Sequence, residues 1–284
     1  MSFRSRTVYR FFLGPILSII AYFFVIFLAM STASVIKGEA YADYEGLIYL
    51  CEGIIGIIFF VAVLLTKRKM EWSCPRWAPG KPLDWSYSVV GALAMLGIAV
   101  AYFYIVTRLH FPAIQDSLKE YEEMMEVKSI SKVDLYMNVF STCLLIPVLE
   151  EIIFRGLIMD VMLDAGYPVL AITFSALYFG VMHGQPVQIG YALLAGLILG
   201  SIYYLTKNLV MSIIAHVIFN ILGSGIYMLF SVSETADNVL SFIEIAAIVP
   251  FIVLTVYLGL KKSGRLSGRK TEDDEDEELS ESET

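Results

Sequence analysis

Eight long apolar runs, separated by short polar stretches, constrain this chain more than any other feature. Residues 11–36, 47–66, 84–107, 133–159, 168–183, 187–206, 208–230 and 239–260 each reach or approach the length of helix that crosses hydrocarbon, roughly 20 residues. A barrel strand would instead alternate in hydropathy over about ten residues. The predicted fold class is therefore all-α, a polytopic transmembrane helix bundle of about eight spans. A composition of 57% hydrophobic and 17% charged residues excludes an ordinary soluble domain. Arg4, Arg6 and Arg10 precede an apolar run too long for a signal-peptide core, so the first run reads as a signal anchor that stays as a span.

Basic residues set the expected orientation. With the N-terminus inside and eight spans, fourteen of the 20 Lys and Arg fall on the inner side, five on the outer side, and Arg155 inside a span. That asymmetry predicts a multi-pass protein of the cell membrane with both termini cytoplasmic. Cys51, Cys74 and Cys143 form no metal or disulfide pattern, and the two in spans read as side chains that only pack. In the outer segment 112–132, Ile114, Leu118, Tyr121 and Met125 recur at helical spacing, which predicts a short surface helix. The tail 261–284 turns from basic to acidic and is expected to be disordered, its basic half against anionic headgroups. Ala192, Gly196 and Gly200 repeat every four residues, a stripe that serves bundle packing or dimerisation.

Ionisable groups inside spans are costly and are functional candidates by default. They form three clusters here. The first is "VLEEIIFRGL", residues 148–157. Glu151 and Arg155 are four apart with the acid first, the favourable order for a helical pair. Glu150 points about 100° away and has no local partner. An unpaired carboxylate in an apolar site suits a general base. The second cluster is "FGVMHG", with Phe179 and His183 four apart, and the third is "HVIFN", with His216 and Asn220 four apart. That spacing puts each pair on one helix face. At 1.5 Å per residue, Glu150 lies about 21 Å and His183 about 22 Å from the turn near Ala165, so the two face each other across a helical hairpin. His110, at a helix end, reads as incidental.

In this order and inside hydrophobic spans, "EEIIFR", "FGVMH" and "HVIFN" resemble the EExxxR, FxxxH and HxxxN signature of the CPBP family of intramembrane proteases. That family covers CAAX-prenyl endopeptidases and bacteriocin-processing or immunity proteins, and is also called Abi. The resemblance covers roughly residues 135–225. It implies that Glu150 and His183 activate a water, that His216 and Asn220 stabilise the oxyanion, and that Glu151 and Arg155 hold the geometry. Family members are commonly called metalloproteases. His183, His216 and Glu150 make a plausible Zn²⁺ set with a position open for water; a metal-free glutamate mechanism fits the same residues, and no HExxH helix is present.

The chain then divides into N-terminal transmembrane helices with the outer amphipathic segment (1–132), a CPBP/Abi-like catalytic bundle (133–260) and the tail (261–284). The resemblance implies an endopeptidase acting on a membrane-associated peptide or protein, with the lipid bilayer as its other partner and no nucleic acid. A non-catalytic bacteriocin-immunity or membrane scaffold protein is the alternative, although a scaffold has no need of such polar groups in lipid. A proton-coupled transporter would also use Glu and His, but the sequence shows no inverted repeat or paired broken helices.

Overall fold

A computed structural model describes residues 9–70, 74–126 and 129–264. Arg4, Arg6, Lys128, Arg265, Arg269, Lys270 and the acidic half of the tail lie outside these residues. The described chain is an all-α bundle, and each of the eight apolar runs is a helix. These are α1 (Gly14–Lys37), α2 (Glu45–Lys69), α3 (Pro82–Val106), α5 (132–163), α6 (Pro168–Met182), α7 (Pro186–Thr206), α8 (Leu209–Leu229) and α9 (Glu234–Lys262), with α4 (Pro112–Met125) as the surface helix between α3 and α5. Six are long and apolar enough to cross a membrane; α6 is shorter, and α5 carries the first charged motif. The protein is thus a multi-pass membrane protein.

Local chemistry sets the helix boundaries. Proline opens α3, α4, α6 and α7 at a position whose N–H would be unpaired anyway. Side chains cap α7 as well and three others: Ser131 Oγ accepts from Asp134 N at 3.1 Å at the start of α5, Gln185 Oε1 from Gln188 N at 2.8 Å for α7, Asn208 Oδ1 from Val210 N for α8, and Ser233 Oγ from Ala236 N for α9. At the end of α6, His183 is the last residue before Gly184, whose φ of 74° turns the chain away from the helix.

Three π-helical turns interrupt otherwise regular helices. They cover Ser141–Leu145 and Ile152–Met159 in α5, and Ile221–Gly225 in α8. One begins at the residue after Glu151, inside the first motif, and another at the residue after Asn220, directly after the third. Such turns recur at functional sites because they re-aim side chains without ending the helix.

Two large apolar cores and a smaller one around Val106, Leu118 and Val187 hold the bundle among the described residues. One gathers Leu149, Ile152, Phe154 and Met159 of α5 with Val25 and Phe60. The other joins Tyr87 and Met95 of α3 to Leu199 and Ile202 of α7 and Phe251 of α9, where Tyr87 and Phe251 stack at 5.3 Å. Both draw on helices from either side of residue 132. The small-residue stripe lies between α6 and α7. A Cβ added at Gly196 would sit 3.0 Å from Ala176 Cα, so these backbones approach closely within one chain. Helix α4 follows its expected periodicity for Leu118 and Tyr121, whereas Met125 is exposed. Lys67, read as a loop charge, is buried instead: its ammonium lies 2.7 Å from Asp160, which also accepts the Tyr203 hydroxyl at 2.9 Å.

Candidate active site

Glu151 and Arg155 form the centre of the site and are wholly buried. Arg155 Nη1 donates to Glu151 Oε1 at 2.8 Å, and Nη2 donates to the Gly196 carbonyl at 3.0 Å. The guanidinium also lies 4.8 Å from the centre of the Phe179 ring, close enough for a cation–π attraction. The pairing read from the four-residue spacing is therefore made. It also ties α5 to α6 and α7, because every partner of the guanidinium other than Glu151 comes from those helices.

His216 on α8 is held from both sides. Its Nδ1 lies 3.0 Å from Glu151 Oε1, and its Nε2 lies 3.6 Å from Glu150 Oε2. Adjacent helical side chains diverge by about 100°, and the two ring nitrogens also point in different directions. A pair of consecutive glutamates can thus clasp one imidazole. The carboxylate of Glu151, beside Arg155, is an acceptor, so Nδ1 carries a proton. Glu150, expected to lack a local partner on its own helix, meets this one from α8; at 3.6 Å the approach is an electrostatic contact and longer than a hydrogen bond.

His183 stands at the C-terminus of α6. Its Nδ1 lies 2.8 Å from the Phe179 carbonyl. A carbonyl only accepts, so Nδ1 is protonated and Nε2 keeps its lone pair. Phe179 packs edge-on against both histidines, at 4.8 Å from His183 and 5.6 Å from His216, which explains why the second motif carries an aromatic residue. Among the described residues no hydrogen bond or ion pair joins His183 to Glu150. Asn220 donates from Nδ2 to the Thr142 carbonyl at 2.8 Å, fastening α8 to the first π turn of α5; its second N–H remains available. His110 is exposed beyond α3.

Groups outside the three motifs also border the site. Tyr22 on α1 donates to Glu52 on α2 at 2.7 Å, and both are buried. Glu150 is within electrostatic range of Glu52, Tyr22 and Tyr191. The signal for Glu52 was in the sequence, a lone carboxylate in the apolar run "LCEGIIG". Helix α4 closes one end of the bundle. The Gln185 amide, two residues beyond His183, donates to the carbonyl and hydroxyl of Ser117, and the Tyr121 hydroxyl donates to Tyr191 at 3.3 Å. Burial pushes the Tyr121 phenol up, keeping it a donor.

As a metal site the arrangement does not fit. Among the described residues no three His, Cys, Asp or Glu side chains gather closely enough to hold an ion.

Residues 132–222 match the family model for Rce1-like proteins, type II CAAX prenyl endopeptidases of the CPBP family. The match covers about a third of the chain and includes all three motifs. The resemblance carried by Glu150, Glu151, Arg155, Phe179, His183, His216 and Asn220 holds over this segment. No curated protein and no solved structure matches the chain.

Proposed function

We propose that the protein is an intramembrane endopeptidase of the CAAX-protease type that hydrolyses a peptide bond in a membrane-associated peptide or protein. The observation that carries the reading is the buried Glu151–Arg155–His216 unit, which leaves Glu150 beside a fixed imidazole with no cation of its own helix to neutralise it. Glu150 takes a proton from a water held between it and the Nε2 lone pair of His183. The hydroxide equivalent adds to the substrate carbonyl carbon. His216 and the free N–H of Asn220 stabilise the oxyanion. The proton held by Glu150 then passes to the departing amine as the C–N bond breaks. The resemblance over residues 132–222 supports the same class of reaction. The excess of Lys and Arg in the inner segments supports a protein of the cell membrane with both termini cytoplasmic.

The test is cleavage of a prenylated C-terminal peptide and of a peptide library by purified protein in detergent, read by mass spectrometry. Wild type should release products and Glu150→Ala should not. Equal activity in both sinks the assignment of Glu150. Inactivity of wild type against every peptide favours the non-catalytic immunity or scaffold reading. Metal content is measured on the same samples. Near-stoichiometric zinc that is lost in His183→Ala would replace this mechanism with a metallopeptidase one.

A further inference from the structure

The two oxygens of Glu151 are served unequally. Oε1 takes both Arg155 Nη1 at 2.8 Å and His216 Nδ1 at 3.0 Å, whereas Oε2 is buried and has no hydrogen-bond partner among the described residues. A buried acceptor without a donor is costly. It also leaves the carboxylate loosely oriented, because the torsion about a terminal sp³–sp² bond is soft. His216 depends on that orientation, since Oε1 is what holds its Nδ1.

The register of α5 against α8 shows which side chain can supply a donor. Asn220 bonds the Thr142 carbonyl, His216 meets Glu151, and a Cβ added at Gly156 would lie 3.5 Å from Leu209 Cδ2. Numbers fall along α8 as they rise along α5, so the two helices run antiparallel. Ser212 lies three residues after Leu209 and four before His216, on the face of α8 that both share. It therefore meets α5 between Gly156 and Glu151, the interval that holds the Arg155 guanidinium. Ser212 is wholly buried, like Glu151, and its hydroxyl comes within hydrogen-bonding reach of the Glu151 carboxylate.

The hydroxyl has one proton to give, and it goes to the Leu209 carbonyl at 3.0 Å. That carbonyl belongs to the first residue of α8 and also accepts a helix N–H, so it does not need the serine. A serine that bonds only its own helix can do so from any face; this one stands where a buried carboxylate oxygen lacks a donor. We propose that Ser212 is a positioning residue: its hydroxyl turns from Leu209 to donate to Glu151 Oε2, fixes the plane of that carboxylate, and so keeps Oε1 on the Nδ1–H of His216. The part it plays in turnover rests on the hydrolase reading; the hydrogen bond does not.

The test uses NMR of the full chain in lipid bilayers, isotope-labelled at the histidine nitrogens. The chain has three histidines, and His110→Gln and His183→Gln assign their signals. Ser212→Ala should displace the Nδ1–H signal of His216 and leave that of His183, bonded to the Phe179 carbonyl, in place. Ser212→Cys, with nearly the same shape and a weaker donor, should do the same and replaces the alanine variant if that one does not fold. Each should lower kcat about tenfold, the effect of losing one hydrogen bond to a charged group, with KM unchanged. A His216 signal identical to wild type in either folded variant overturns the hydrogen bond. A displaced signal with full kcat overturns the positioning role. If wild type cleaves no peptide, the hydrolase reading fails and the NMR result alone decides whether Ser212 holds Glu151.

Discussion

Replacing Glu151 with alanine removes the carboxylate that holds Arg155 Nη1 at 2.8 Å and His216 Nδ1 at 3.0 Å. The guanidinium stays wholly buried, with the Gly196 carbonyl and the Phe179 face as its remaining partners and its Nε already unpaired. Stranding one member of a buried ion pair costs about 3–5 kcal/mol, against a total stability of roughly 5–15 kcal/mol for a folded protein. Folded yield should fall sharply, and the unfolding midpoint of what survives should drop well below that of wild type. The matched control is Glu151→Ala combined with Arg155→Met, which leaves no buried charge. Replacing both members of such a pair with apolar groups is often neutral, so the double variant should recover most of the lost stability. It should stay inactive, because His216 has lost the acceptor that orients it. Monodispersity by size-exclusion chromatography and thermal unfolding in detergent, with peptide cleavage in parallel, read both effects. A single variant as stable as wild type, or a double variant no better than the single, would refute the pairing argument.

Glu150→Ala should fold normally, since that side chain makes no hydrogen bond and is partly accessible at 13%, and should lose cleavage; a stability loss as large as that of Glu151→Ala contradicts the division between the two glutamates. His183→Ala and His216→Ala should each lower kcat by about 10²–10³-fold, and near-wild-type turnover in either removes it from the mechanism. Asn220→Ala should lose about 1 kcal/mol through the bond to Thr142 and should also lose turnover, so a stability effect with full activity makes Asn220 a fastener only. Lys67→Met strands Asp160, softened by the Tyr203 hydroxyl, and should lower stability by about 3 kcal/mol with KM unchanged; a thermal scan and a Michaelis curve decide it.

The eight apolar runs were legible because hydrocarbon thickness fixes helix length, and each run appears within a few residues of its expected limits. Glu151 with Arg155 was legible because a four-residue spacing makes neighbours on any helix. The π turns were not, since nothing in the apolar run "IIFRGLIM" distinguishes four from five residues between bonded groups. The meeting of Glu150 with His216 was missed for a related reason: spacing reports partners on one helix, and this partner lies on another. Lys67 looked like a loop charge because basic residues surround it in sequence; only the approach of α5 provides the buried aspartate. Glu52 carried a sequence signal but no spaced companion, and its hydroxyl partner is 30 residues away.

The two consecutive glutamates carry opposite demands, and the fold meets them by using different surroundings for adjacent residues. A group that fixes geometry should be fully satisfied and fully buried, as Glu151 nearly is, with Arg155 and His216 on one oxygen. A group that moves protons should be held near its partner without being neutralised, and Glu150 meets His216 at 3.6 Å with no cation of its own. Consecutive positions on a helix are about 100° apart, enough to place one carboxylate inside the α5–α8 contact and the other at its edge. The π turn beginning at Ile152 then carries Arg155 back toward Glu151 and the Gly196 carbonyl while the helix continues. Exchanging the roles should therefore fail in both directions. Glu150→Gln keeps the shape but cannot accept a proton, and it should remain folded and inactive. Glu151→Gln keeps an acceptor but removes the charge facing Arg155, and it should lose stability before it loses the orientation of His216. If Glu150→Gln destabilised the protein more than Glu151→Gln, the assignment of the two glutamates would have to be reversed.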